Sequence, residues 1–173
     1  MKKILLFVLI LLLSTYLSAC ANGKSGLQVK EESQQTNKID EETDSNIYQN
    51  TEYGFSFSLP ESWKGYTIVT DKWEGLAIRD SKVIETGILI NIRHPNWTSA
   101  NPWQDIPIMI FTLSQWDSLQ QYEFHIGAAP IGPSELGRNF RYVFELPARY
   151  NYAFPTGWEE VENILNNNPI IFK

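Results

Sequence analysis

The two histidines of the chain are the side chains best suited to acid–base or metal chemistry near neutral pH. His94 follows a run of apolar residues, and His125 stands two residues after Glu123. Alternate residues of a strand share one face, so Glu123 and His125 could hold a metal ion together if Asp105 supplied a third ligand. The alternative, which the lack of a local third ligand favours, is two histidines at the surface or the core edge without a shared site.

Two tryptophans, Trp97 and Trp103, lie in a polar, proline-containing segment between His94 and Gln104. Exposed indoles in a loop can stack on sugar rings or anchor a protein partner, so both tryptophans and His94 are candidate binding residues. Because tryptophan is mostly buried in proteins, the alternative is that both indoles fold back over the edge of a sheet.

The basic residues of the folded part cluster at Arg138, Arg141 and Arg149. They either pair with Glu135 and Glu145 or bind an anionic partner, and the frequency of exposed ion pairs favours the first interpretation. Arg138 and Arg141 are therefore included among the candidate binding residues.

The sequence offers no complete catalytic motif. It has no Gly-x-Ser-x-Gly nucleophile motif and no glycine-rich phosphate loop followed by lysine, and Ser134 is interpreted as a turn or helix-capping residue. The formal net charge of −6 argues against a nucleic-acid partner, which would require clustered lysine and arginine. We therefore predict no catalytic residue, cofactor or metal ligand.

The first twenty residues have the layout of an export signal. Two lysines precede an unbroken apolar run at residues 4–13, which is shorter than the roughly 20 residues of a membrane-spanning helix. The segment ends in Leu17-Ser18-Ala19-Cys20, which contains the only cysteine of the chain. This motif resembles the lipobox of bacterial lipoproteins. The alternative is an ordinary export signal with a chance cysteine.

The lipobox resemblance implies that residues 1–19 are a signal peptide and that Cys20 carries a diacylglyceryl group with fatty acids such as palmitate. It implies a protein anchored in the cell membrane at the extracytoplasmic face, with the lipid bilayer as the partner of Cys20. Two acyl chains suffice for stable anchoring, because each buried CH₂ contributes about 0.8 kcal/mol. Without Lys2 and Lys3 the chain keeps 12 basic and 20 acidic residues, so its net charge of −8 gives no attraction to an anionic membrane.

Residues 20–46 are predicted to be the lipidated Cys20 followed by a disordered tether. From residue 21 to residue 46 there is no aromatic residue, and the composition is too polar to form a core. A flexible chain of this length has a root-mean-square span of about 25–31 Å. The tether is predicted to act as a spacer.

Residues 47–173 are predicted to form a single α+β domain, with a largely antiparallel β-sheet flanked by two or three short helices. Apolar alternation and apolar runs predict strands at residues 53–59, 66–70, 76–79, 88–92, 106–112, 122–126, 140–146 and 150–154. Capping-box spacing predicts one helix after Thr112 and another after Thr156.

The domain opens with YGFSFSLPESW at residues 53–63, and near its end it has the amphipathic segment EEVENIL at residues 159–165. These two segments resemble those of PsbP-like domains. The resemblance implies an antiparallel sheet flanked by helices and a role in binding or assembly. It brings no catalytic residues.

These observations predict a membrane-anchored extracytoplasmic lipoprotein that acts as a non-catalytic binding or assembly module of the bacterial envelope, with a protein or another envelope component as its partner. Two alternatives stay open. One is a small metal-dependent or acid–base enzyme that uses His94 and His125. The other is a carbohydrate-binding module that uses Trp97 and Trp103.

Overall fold

The computed structural model describes residues 46–127 and 131–173. The predicted signal peptide, Cys20 and all but the last residue of the predicted tether lie outside the described residues. No helix in the described ranges is long and apolar enough to cross a membrane.

Two antiparallel sheets and two helices make up the described part of the chain, which confirms the predicted α+β class. The strands are β1 (Asn46–Asn50), β2 (Phe55–Leu59), β3 (Thr67–Ala77), β4 (Val83–Arg93), β5 (Ile106–Thr112), β6 (Phe124–Ile126), β7 (Ser134–Arg138), β8 (Tyr142–Leu146) and β9 (Ile170–Phe172). The helices are α1 (Leu113–Gln120) and α2 (Trp158–Asn166), and a 3-10 turn covers Glu61–Trp63. The strand orders are β1-β2-β9 and β6-β3-β4-β5-β8-β7.

The larger core fills the space between the three-stranded sheet, α2 and one face of the six-stranded sheet. It contains the isoleucines of β4 and β5 that point to this face, together with Phe55, Phe57 and Trp63. The opposite face of the six-stranded sheet carries a second, smaller core under α1. Because β5 is covered on both faces, its residues are almost all buried, which explains why its sequence is a continuous apolar run.

Several strands differ from the sequence-based expectation. The predicted strands at 66–70 and 76–79 are parts of one strand, β3, whose middle is polar because it lies near the edge of the sheet. Residues 150–154 form turns instead of a strand, and Ser134 begins the edge strand β7 instead of acting as a turn or cap residue. β1 starts at Asn46, one residue inside the predicted tether, and pairs with β2.

The two predicted capping boxes have different outcomes. At α1 the box is confirmed, because the Gln115 N–H donates to Thr112 Oγ1 (3.2 Å) and the Thr112 N–H donates to Gln115 Oε1 (3.1 Å). At α2 it is wrong, because the N-cap residue is Gly157, which has a left-handed φ of +83° and no side chain to cap the helix.

Candidate functional site

An aromatic stack forms the floor of the second face of the six-stranded sheet. Trp73 on β3 stacks on Phe111 at 4.2 Å between ring centroids and lies parallel to Phe124 at 6.2 Å. Its indole N–H donates to the Ile110 carbonyl at 2.8 Å. Gly87 leaves room for this indole, since a Cβ on Gly87 would lie 2.3 Å from the ring. The floor is therefore held in place by both hydrogen bonding and close packing.

Two clefts open on this side of the sheet, and Ile126 lines both of them. The first, which we call the β3 cleft, has a volume of about 350 Å³ and is lined by Trp73, Leu89 and Met109 together with polar residues of β3. The second, the α1 cleft, has a volume of about 340 Å³ and lies between the end of α1 and β6. Both volumes are within the range of ligand sites in proteins.

A fully buried carboxyl group lies beside the β3 cleft. Glu145 on β8 has an exposed fraction of 0 %, and it stands directly between Met109 on β5 and Glu135 on β7. Neither carboxylate oxygen has a hydrogen-bond partner among the described residues. Burial, with a contribution from the charge of Glu135, raises the pKa of Glu145 to about 8, against an opposing effect of Arg138. The carboxyl group is therefore mainly protonated at neutral pH.

The expected pairing of the arginines with Glu145 is wrong, whereas the pairing with Glu135 is confirmed. Arg138 Nε donates to Glu135 Oε1 at 2.7 Å, and this ion pair lowers the pKa of Glu135. The Arg141 guanidinium lies 5.5 Å from the ring of Tyr142. Arg149 lies past the opposite end of β8, so the three arginines do not form one surface cluster.

His94 is packed between two indoles. Its ring stacks on Trp103 at 4.4 Å and meets Trp63 edge-on at 4.9 Å, and its exposed fraction is 3 %. His94 Nδ1 accepts a hydrogen bond from the Asn96 N–H at 3.1 Å. Burial lowers the pKa of His94, although the charge of Glu160 opposes this effect. These contacts give the imidazole a structural role as a neutral aromatic ring.

The polar segment around Trp97 is held by a second set of contacts. The Arg93 guanidinium lies 4.0 Å above the Trp97 ring, and its Nη2 donates to Asp105 Oδ2 at 2.8 Å. Trp97 and Trp103 are both half-buried. Their contacts favour the interpretation of indoles packed against the sheet over that of two free anchors.

The four residues proposed for a metal or acid–base site lie in two separate places, with His94 and Asp105 in one and Glu123 and His125 in the other. Arg93, which precedes His94, pairs with Thr67, whereas His125 pairs with Leu76 at the other end of β3. Nine residues of strand separate these positions, or about 30 Å. Within residues 46–127 and 131–173, no three His, Cys, Asp or Glu side chains are placed to bind a metal ion together. His94 and His125 therefore cannot share one ion.

The sequence identified His125 as a candidate residue, but the burial of Glu145 was not predicted. His125 lines the α1 cleft, where its Nδ1 lies 2.6 Å from the Gly127 carbonyl oxygen, so that Nδ1 carries the proton and donates. The sequence-based interpretation makes Glu145 a partner of the arginines in an exposed ion pair. The alternation of β8 places Glu145 on the same face as the buried Val143, and this signal could have identified it.

No protein-family model, no curated protein and no solved structure matches the chain.

Proposed function

We propose that this protein is a lipid-anchored lipoprotein on the extracytoplasmic face of a bacterial membrane, whose α+β domain binds a partner without catalysis. The lipobox motif and the order of export signal, polar tether and domain support the anchoring. The observation that carries the binding function is the β3 cleft, an apolar depression of about 350 Å³ with a rigid aromatic wall.

The contacts of the titratable residues support binding over catalysis. His94 is stacked between indoles, Asp105 is paired with Arg93, and His125 is hydrogen-bonded to its own strand end. A general acid or base must reach a substrate atom at hydrogen-bonding distance. His94 and Asp105 are committed to contacts that hold the domain together.

The resemblance to PsbP-like domains is part of the same proposal. The matching opening segment forms β2 and the 3-10 turn, and its Phe55, Phe57 and Trp63 are buried in the larger core. Packing in the core explains this aromatic pattern. The proposed role in binding or assembly therefore rests on the cleft and not on this motif.

Replacing Cys20 with alanine is expected to release the protein from the membrane. The thiol is the proposed lipid attachment, and the strongly acidic chain has no electrostatic attraction to an anionic bilayer. Cells that express the full-length wild type or Cys20→Ala are fractionated after a high-salt wash, and the protein is detected in each fraction. A Cys20→Ala protein that stays with the membranes would contradict the lipoprotein assignment.

Filling the β3 cleft is expected to abolish partner binding. Leu89 is half-buried and lines the cleft, so Leu89→Trp occupies the space that a ligand would use. Full-length protein is purified from membranes in detergent, and bound material is measured by native mass spectrometry. The matched control is Ile171→Trp, which adds an indole at an exposed position of the three-stranded sheet. Equal amounts of bound material on both variants would refute a binding role of the cleft.

A further inference from the structure

The edge of β3 is largely unpaired. β6 pairs only with Gly75, Leu76 and Ala77, so no described strand covers the part of β3 from Thr67 to Glu74. β6 ends at Ile126, and Gly127, directly after it, has a left-handed φ of +60° that does not continue an extended strand. The outward backbone N–H and C=O groups from Thr67 to Glu74 therefore have no strand partner among the described residues.

One hydrogen bond shows which residues of β3 direct their backbone groups toward this open edge. The Lys72 N–H donates to Asp71 Oδ1 at 2.8 Å, so it points away from β4 and toward the open edge. In an antiparallel pair, alternate residues direct their backbone groups to opposite sides. The N–H and C=O groups of Thr70 and Glu74 therefore also point outward, at a repeat of about 6.6 Å.

The β3 cleft runs along the same edge. Its lining includes the consecutive residues Lys72, Trp73 and Glu74, which point to alternate faces of the sheet. A depression that contacts both faces of one strand has to pass along the edge of that strand. The outward backbone groups and the apolar wall formed by Trp73 and Leu89 thus belong to one surface.

Building on the proposed binding function, we infer that the β3 cleft binds an extended segment of a partner polypeptide, which adds as a strand to the edge of β3. The outward donors and acceptors of Thr70, Lys72 and Glu74 match the two-residue repeat of an extended backbone, which a sugar or a lipid chain lacks. A partner residue opposite Trp73 shares its face of the sheet and places an apolar side chain against Trp73 and Leu89.

Asp71 restricts access to this edge. Its carboxylate occupies the Lys72 N–H, so an added strand must displace it. Charged side chains at open edges protect proteins from unselective strand pairing. Asp71→Ala is therefore expected to strengthen the binding of an extended peptide, which is a gain that a purely structural role of Asp71 would not produce.

The test uses a displayed library of random peptides, selected on full-length protein in detergent. Thr70→Pro removes one outward N–H, and proline is tolerated in an edge strand when its nitrogen faces away from the neighbouring strand. Thr70→Ala keeps the N–H and is the matched control. Melting temperatures of both variants verify that they fold.

We expect enriched peptides to have apolar residues at alternate positions. Their affinity should fall about tenfold or more in Thr70→Pro, because one hydrogen bond is lost and a buried partner group is left unpaired, and stay unchanged in Thr70→Ala. Binding that is lost in Leu89→Trp but unaffected in Thr70→Pro would overturn strand addition and leave the proposed cleft function standing. Strand addition would also be overturned if the selected peptides bound all variants equally, or if selection on the wild type enriched no more peptides than selection on Thr70→Pro.

Amide hydrogen exchange distinguishes a bound peptide from another part of the same chain at the edge of β3. A bound peptide should protect the N–H groups of Thr70 and Glu74. If these N–H groups are already protected in the full-length protein without added peptide, another part of the chain covers the edge and the inference is overturned. A dimer that dissociates in Thr70→Pro would assign the edge to a second copy of the chain, with the same consequence.

Discussion

Glu145→Gln is expected to stabilise the domain by several kcal/mol at pH 8 and to leave its stability nearly unchanged at pH 5. In the folded protein the pKa of Glu145 is raised to about 8, whereas an unfolded chain returns it to its usual value of 4.5. Between these values the folded state binds the proton that the unfolded state has released, so the free energy of unfolding falls as pH rises. The slope is at most about 1.4 kcal/mol per pH unit.

The surroundings of the Glu145 carboxyl group explain why its ionisation destabilises the folded state. Ionisation places a charge without a hydrogen bond in an apolar environment and next to the carboxylate of Glu135, and Arg138 offsets this only in part because it is bound to Glu135. Glutamine keeps the shape of the side chain but cannot ionise. The predicted difference is measured by urea unfolding of wild type and variant between about pH 5 and pH 8.

Two controls make this result specific. Glu159→Gln removes an exposed carboxylate and should leave the wild-type pH dependence in place. The lowered pKa of His94 has the opposite effect, because stability is lost as pH falls from the usual histidine value of 6.5 through the folded pKa. The slope from about pH 7 to pH 8 therefore reports Glu145, and an equal slope in Glu145→Gln would refute the assignment.

Gly157→Ala is expected to destabilise the domain by about 3 kcal/mol or more. A Cβ at this position would lie 1.9 Å from Trp103 Nε1, and the backbone has a φ of +83° that disfavours residues with a side chain. Trp103 has to move, and its stacking partner His94 loses the contact that fills one side of its ring. Chemical denaturation measures the loss, and tryptophan fluorescence reports the displaced indole.

Two other glycines separate the steric contribution from the backbone contribution. Gly127→Ala introduces a Cβ into open space at a φ of +60°, so it measures the backbone cost alone. Gly132→Ala introduces a Cβ into open space without a left-handed φ and should be nearly neutral. If Gly157→Ala were no worse than Gly127→Ala, the contact with Trp103 would not determine the conformation at this position.

The sequence predicted the elements whose signals are local. The continuous apolar run of β5 and the capping box at Thr112 both fix their elements within a few residues, and both are confirmed. The strands that it missed, β1, β7 and β9, are short and lie at sheet edges. None of their residues is fully buried, and their sequences do not alternate regularly between apolar and polar residues. β3 was predicted as two separate strands because its middle is polar on the side that faces solvent.

The candidate site could not be predicted because no single segment carries it. The β3 cleft combines residues of β3, β4, β5 and β6, which only the strand order brings together. His94 and Trp103 were identified as functional candidates because of their residue types, although packing uses the same types for aromatic stacks. The burial of Glu145 was not predicted, since charged residues are mostly exposed, although the buried Val143 lies on the same face of β8.

The pairing of β2 with β9 has a consequence for the order of folding. Phe55 pairs with Phe172, so one strand of the main core joins positions that are separated by almost the whole length of the domain. Contacts of such large sequence separation form slowly, because a long loop must close first. While the chain is synthesised, β2 cannot acquire its second neighbour until residue 172 has emerged. Phe55 and Phe57 therefore lack part of their final packing until the last strand is complete, and this segment is an exposed apolar surface before it becomes a core strand.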